Sequence, residues 1–328
     1  MPQIILIGAA AGLASAALFA SALYGGMGGR MLIYFLAPLP LFLAGLGWGT
    51  IAALVAAVGS AVGSALLLSP VTGLVVLASQ GLPVFYVCHL AQLRRAVAVG
   101  PSDIGDEQTA IEWYPIGRMI AAATLFAGVT AFVTVWMLGD DLDQIRKLLR
   151  TLIEKVFLQS LPGLKDRNLS EQDLASLTEI ALYALPATSA LSWLGSFAAN
   201  LYLAGRITLA SGRLSRPWPD LASLAYPRGF GLGLAASLAA SALLTGYPAL
   251  LASGFAGAFF FAYVLLGLAV VHSVTRGMAA RPFILWGVYV ALLVLNTWAA
   301  IALAMVGTFE PMLRRWRGRA PCTKPPPG

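Results

Sequence analysis

The chain has 328 residues, 59% of them hydrophobic and 11% charged, with a formal net charge of +7. Soluble domains carry about 25% charged residues. Between Met1 and Leu93 the single charged side chain is Arg30, which excludes a water-soluble fold there, because such a fold needs a solvated face at nearly every turn. The positive balance does not point to nucleic acid either: no basic cluster alternates with aromatics on a soluble element, and the charge suits loops facing anionic lipid.

The composition predicts an all-α fold, a polytopic transmembrane helical bundle of eight or nine spans of about 20 residues each, occupying residues 1–310. In chain order the candidate spans are Ile4–Tyr24, Met31–Leu46, Thr50–Ser69, Val71–Leu93, Ile116–Leu138, Thr178–Ala204, Gly229–Thr245, Ala249–His272 and Phe283–Thr308. The seventh has only 17 residues and barely crosses, which leaves eight as the alternative. Ala20-Ser21-Ala22 resembles a cleavage site, but no Lys or Arg precedes the first run and further apolar segments follow at once, so a retained span is expected.

Pro38 and Pro40 each remove a helical hydrogen bond from the second span. In lipid the freed backbone needs partners from neighbouring protein, so this span is expected to be enclosed or irregular. The run Gly45-Leu46-Gly47-Trp48-Gly49 then turns the chain, with Trp48 suited to the interface.

Residues 139–177 form an insert of different character. Leu142, Ile145, Leu148, Leu149, Leu152, Ile153 and Val156 recur at helical spacing, with Arg146, Lys147, Arg150 and Lys155 on other faces. This predicts an amphipathic helix lying on the membrane or against the bundle. Asp140, Asp141 and Asp143 suit its first turn, and Leu161-Pro162-Gly163 ends it. Ser170 and Asp173 have the spacing of a helix start leading into the sixth span. The segment 311–328 is basic, then proline-rich, and is expected to be a disordered tail.

With nine spans, nine Lys or Arg fall on the N-terminal side and twelve on the other; without the insert the balance is nine to six. A cytoplasmic N-terminus in a bacterial inner membrane is the expectation. Cys88 lies in an apolar helix and Cys322 in the tail, with no metal-ligand spacing.

No catalytic group, cofactor or metal is expected. His89 and His272 sit near span ends and read as interfacial residues, and Glu179 as a headgroup contact. No HExxH, GxSxG, CxxC or Walker-type loop occurs. The central parts of the spans lack the acids and bases that ion-coupled carriers place at mid-membrane. They offer Gln80, Asn200, Asn296 and Trp193 instead, either as interhelical hydrogen bonds or as a pocket for a neutral or weakly polar ligand. Asn296 is the most central. Gly8, Gly12, Ala16 and Ala20 recur every four residues, a face for close packing inside the chain or for docking another membrane protein.

The run Leu39-Pro40-Leu41-Phe42-Leu43-Ala44-Gly45-Leu46-Gly47-Trp48-Gly49, the Gly- and Ala-rich span after it, and the late Gly267-Leu268-Ala269-Val270-Val271-His272 resemble an uncharacterised bacterial membrane family of the YybS type, a domain of unknown function. The resemblance runs from Ile4 to about Arg319. The N-terminal half is also similar to the substrate-binding S components of energy-coupling-factor transporters. That similarity implies that Gly8, Gly12 and Ala16 dock a transmembrane coupling subunit. S components usually have six spans and no such insert, and no vitamin-type motif is present here. The expected function is a non-enzymatic membrane protein that binds, or helps transport, a small uncharged or amphiphilic ligand. The alternative is a membrane scaffold recruiting partners through the insert and the basic tail. A lipid-acting enzyme would rest on His89, His272 and Glu179 converging.

Overall fold

The computed structural model describes residues 1–22, 27–101, 107–139, 141–158, 170–221 and 224–317. Its helices are α1 (Pro2–Ser21), α2 (Met27–Leu36), α3 (Leu39–Trp48), α4 (Thr50–Leu67), α5 (Pro70–Val76), α6 (Leu82–Gln92), α7 (Ile116–Trp136), α8 (Leu142–Leu152), α9 (Glu171–Ala210), α10 (Phe230–Leu243), α11 (Gly246–Val274), α12 (Arg281–Val294) and α13 (Thr297–Arg317). Wider π-helical turns join α5 to α6 (Leu77–Gly81) and follow α8 (Ile153–Leu158). Among the described residues seven helical segments are long and apolar enough to cross a membrane: Pro2–Ser21, Gly29–Trp48, Thr50–Leu67, Pro70–Gln92, Ile116–Trp136, Glu171–Ala210 and Gly246–Val274. Leu66 (82%), Leu243 (82%) and Leu293 (83%) are exposed on the outside. In water each such side chain would forgo about 1.5–3 kcal/mol of burial, whereas hydrocarbon is itself their apolar solvent.

Beyond these seven, a count of eight or nine would draw on the shorter apolar helices among the described residues. Phe230–Leu243 and Thr297–Glu310 are shorter apolar helices. The stretch expected as the ninth span breaks at Asn296, whose φ of +36° ends α12 and starts α13. Asparagine tolerates that left-handed backbone better than other non-glycine residues.

The N-terminal half is held by small residues. A Cβ on Gly8 would stand 2.8 Å from the Ala52 carbonyl oxygen, one on Gly12 2.6 Å from that of Ala56, and one on Gly63 2.8 Å from the Ala16 Cβ. The order of these contacts makes α1 and α4 run parallel. Ser15 and Ser60 hydrogen-bond across the seam at 3.2 Å. The face of Gly8, Gly12 and Ala16 is therefore filled by α4 of the same chain. The main core brings Leu41 and Phe42 of α3, Val84, Val87 and Cys88 of α6, Ala123 and Ala127 of α7, and Leu194 and Phe197 of α9 together.

The insert folds as foreseen at its start. Asp141 caps α8, accepting from the Asp143 N–H at 3.4 Å. Ile145 and Leu149 pack on Val135, Leu182 and Leu250, which ties α8 to the bundle. Its polar side is laced by Arg146 to Glu179 (2.6 Å) and Asp143 (2.8 Å), and by Arg150 to Glu154 (2.9 Å) and Glu171 (2.7 Å). Leu161-Pro162-Gly163 and Asp140 lie outside the described residues. Ser170 and Asp173 form the reciprocal capping box of α9, which runs unbroken for 40 residues. At 1.5 Å per residue that is about 60 Å, twice a hydrocarbon core of about 30 Å.

Two further features concern chain outside the spans. The expected all-α architecture includes one antiparallel β-hairpin, β1 (Arg94–Pro101) with β2 (Glu107–Trp113), registered Arg94 to Trp113 and Arg95 to Glu112. The tail expected to be disordered from residue 311 continues α13 through Arg317; its remainder, with Cys322, lies outside the described residues.

Candidate functional site

Pro38 lies at a break between helices, Pro83 in the first turn of α6 and Pro186 inside the continuous α9, and beside each a backbone carbonyl is met by a side chain of another helix. Pro83 has no N–H for the Ser79 carbonyl four residues earlier; Trp193 Nε1 donates to that oxygen at 2.9 Å. At the α2–α3 break around Pro38, the Phe35 carbonyl accepts from Asn200 Nδ2 at 2.6 Å and Ser196 Oγ at 2.9 Å. On the turn preceding Pro186, the Tyr183 carbonyl accepts from Ser253 Oγ at 2.5 Å. A bare carbonyl in hydrocarbon costs several kcal/mol, so these donors are structural.

Gln80, Trp193 and Asn200 thus gather around one side of α9. Trp193 reaches the residue next to Gln80, and Asn200 stands two turns further along the same helix, with Phe197 stacked on Trp193 at 4.8 Å between them. The donors of Trp193 and Asn200 are committed to backbone. Gln80 Oε1 and Asn200 Oδ1 remain buried without a hydrogen-bond partner among the described residues. Asn296, expected to be central in a span, is exposed at the α12–α13 turn and stands apart from this group.

His89, His272 and Glu179 do not form one cluster. His89 stacks on Phe85. His272 Nδ1 lies 2.9 Å from the Leu268 carbonyl oxygen, and its ring faces Tyr289. Glu179 pairs with Arg146, at the opposite end of the bundle from His272. Among the described residues no three His, Cys, Asp or Glu side chains are placed to hold a metal ion.

A second constellation, not foreseen from the sequence, forms where α3 ends, α6 ends, α7 begins and α9 ends. Gln92 ties the turn there: its Nε2 donates to the Gly45 carbonyl at 2.8 Å, and its Oε1 accepts from the Thr50 N–H and hydroxyl at 3.0 Å each. It supplies the cap that Gly49 lacks at the start of α4. Arginines then stack on aromatic rings: Arg213 on Trp48 (4.7 Å), Arg206 on Trp218 (5.3 Å), Arg94 and Arg216 both on Trp113 (5.8 and 5.9 Å) and Arg118 on Tyr114 (6.0 Å). Among the described residues none of these five has a carboxylate within ion-pair distance. Arg216 is half-buried, and burial pushes its guanidinium down from its ordinary value; its Nε has no partner among the described residues.

At the foot of the hairpin a groove of about 350 Å³ opens between Leu93, Arg94, Trp113, Tyr114, Pro115 and Arg118. Arg95 and Glu112 also line it, paired with each other at 2.7 Å. A signal for this site existed in the sequence: Arg118 and Arg216 each lie within a few residues of Trp or Tyr. What joins residues 94–118 to residue 216 is tertiary.

A lipid-facing exterior, seven long apolar helices and an interior whose polar groups serve broken backbone define a polytopic α-helical membrane protein. The chain belongs to the family described as "Predicted membrane protein (DUF2232)", whose model matches residues 13–310. No curated protein and no solved structure matches it.

Proposed function

We propose that this chain is a non-catalytic membrane protein that binds an amphiphilic small molecule at its arginine–aromatic end. The carrying observation is the groove itself, which places Arg94 and Arg118 beside Leu93, Trp113, Tyr114 and Pro115 at the mouth of an apolar helix. A molecule with a polar head and an apolar body meets both kinds of surface there. The nine arginines of this end, from Arg94 to Arg281, favour its placement at the cytoplasmic face of a bacterial inner membrane. The test is mass spectrometry of small molecules retained by the full-length protein through purification in an uncharged detergent. A stoichiometric amphiphile, lost when Trp113 and Tyr114 are replaced by alanine, supports this reading. Recovery no higher than with an unrelated membrane protein contradicts it.

A second reading draws on Gln80 Oε1 and Asn200 Oδ1, two buried acceptors without partners among the described residues. A small neutral ligand carrying hydroxyl or amine donors would satisfy them beside Trp193. The scaffold role is less favoured, because Ile145 and Leu149 of α8 already pack on the bundle, leaving Leu148 and Leu152 exposed.

A further inference from the structure

We infer that the groove selects a phosphate-bearing headgroup, held by Arg94 and Arg118 at the first turn of α7. The inference rests on the amphiphile reading and adds the chemistry of the head. Three observations carry it. The first is charge: Arg94 and Arg118 line the groove with no ion-pair partner among the described residues, and Glu112, the carboxylate that also lines it, is neutralised by Arg95, so the groove keeps a net positive charge. The second is the start of α7. Pro115 offers no side-chain cap, and no acidic residue occupies the first turn, so the positive end of the helix dipole adds to the two guanidinium groups. The third is rigidity. Arg94 stacks on Trp113 and Arg118 on Tyr114, while Arg216 backs the same indole and reaches the Tyr114 carbonyl at 3.4 Å.

A planar guanidinium presents paired N–H donors that match phosphate oxygens two at a time. Two such forks and a helix start suit a phosphate with three free oxygens better than a single-point anion. The apolar wall then fixes the source. Leu93 and Pro115 border the groove, and α7 continues from it with Leu125 and Val129 exposed on its outer side. Acyl chains attached to the bound phosphate would lie along that side in the bilayer.

The test uses the full-length protein in an uncharged maltoside detergent, titrated by native mass spectrometry with dioleoyl phosphatidic acid, with dioleoylglycerol and, separately, with sodium phosphate as competitor. One phosphatidic acid per chain is expected, bound at least about ten-fold more tightly than dioleoylglycerol, with affinity falling as salt rises. Arg94→Gln and Arg118→Gln should each weaken it about ten-fold, and Arg276→Gln, at an arginine outside the groove that is paired with Asp220, by less than about two-fold. Unchanged gel-filtration profiles establish that each variant is folded, and Arg118→Lys, which keeps the charge, should bind more tightly than Arg118→Gln. Equal binding of dioleoylglycerol would overturn the phosphate inference while leaving the amphiphile reading intact. Failure of both lipids to bind would overturn both. Sodium phosphate displacing the lipid at equal concentration would uphold the anion chemistry and remove the lipid as its source.

Discussion

Single donors decide whether a proline can be kept in a membrane helix. Trp193 stands where the helix of Pro83 cannot supply its own N–H. Trp193→Phe keeps the ring and removes the donor, so the Ser79 carbonyl is left bare. The expected loss is about 1–3 kcal/mol of stability, read as a lower melting temperature in detergent. In a Pro83→Ala background the backbone N–H returns, and the same Trp193→Phe should then cost clearly less. Additive effects would mean that the indole and the proline are not coupled. Arg146 gives a prediction of pH dependence. Hydrogen bonds from its guanidinium to Glu179 first, and to Asp143, raise it above its ordinary value. A raised value means the stabilisation is fully present below the unfolded value and lost only as pH climbs through the folded one. Arg146→Gln should therefore lower the melting temperature by the same amount at about pH 6 and about pH 9. A difference between the two would place the titrating group elsewhere.

At the level of elements, the α1–α4 seam separates two glycines that look alike in the sequence. A Cβ on Gly12 would stand 2.6 Å from the Ala56 oxygen, whereas one on Gly59 first meets Gly12 Cα at an ordinary 3.5 Å. Gly12→Ala should destabilise by about 1–3 kcal/mol through forced separation of the two helices. Gly59→Ala should be neutral or slightly stabilising, because it raises helix propensity by about 1 kcal/mol without a clash. Thermal melts of the two variants check the pair, and equal losses would deny the close seam. Hydropathy makes the apolar elements legible, since one charge in the first 93 residues leaves no other solvent for them. The Ser170–Asp173 box and the amphipathic α8 are likewise local patterns and come through intact. The β-hairpin does not, because its short alternation lies beside a strong apolar signal and carries no hydropathy contrast of its own. The break at Asn296 is also silent, since a single left-handed residue leaves the apolar pattern on both sides unchanged.

Across the whole molecule, the polar residues chosen from the sequence and the groove found in the structure divide the work. Trp193 and Asn200 were legible as unusual residues in lipid, but their use is set by carbonyls more than 100 positions away in the chain. The arginine end was legible only as loop charge; its convergence depends on residue 216 returning to Trp113 and Tyr114. The interior donors therefore meet broken backbone, and the recognition proposed above falls at the end of the bundle. Charge supports that division: the described arginines of this end stack on aromatics more than they pair with acids, which leaves a positive surface next to apolar helices.

Photo-cross-linking tests this division directly. The full-length protein in its native membrane would be labelled with a diazirine-bearing phospholipid and the modified peptides mapped by mass spectrometry. Specific labels competed by unlabelled lipid should fall between Leu93 and Arg118 and be lost in the Arg94→Gln, Arg118→Gln double variant. Competed labels on the peptides of Gln80, Trp193 and Asn200, with none at the hairpin foot, would contradict the assignment and move recognition into the bundle.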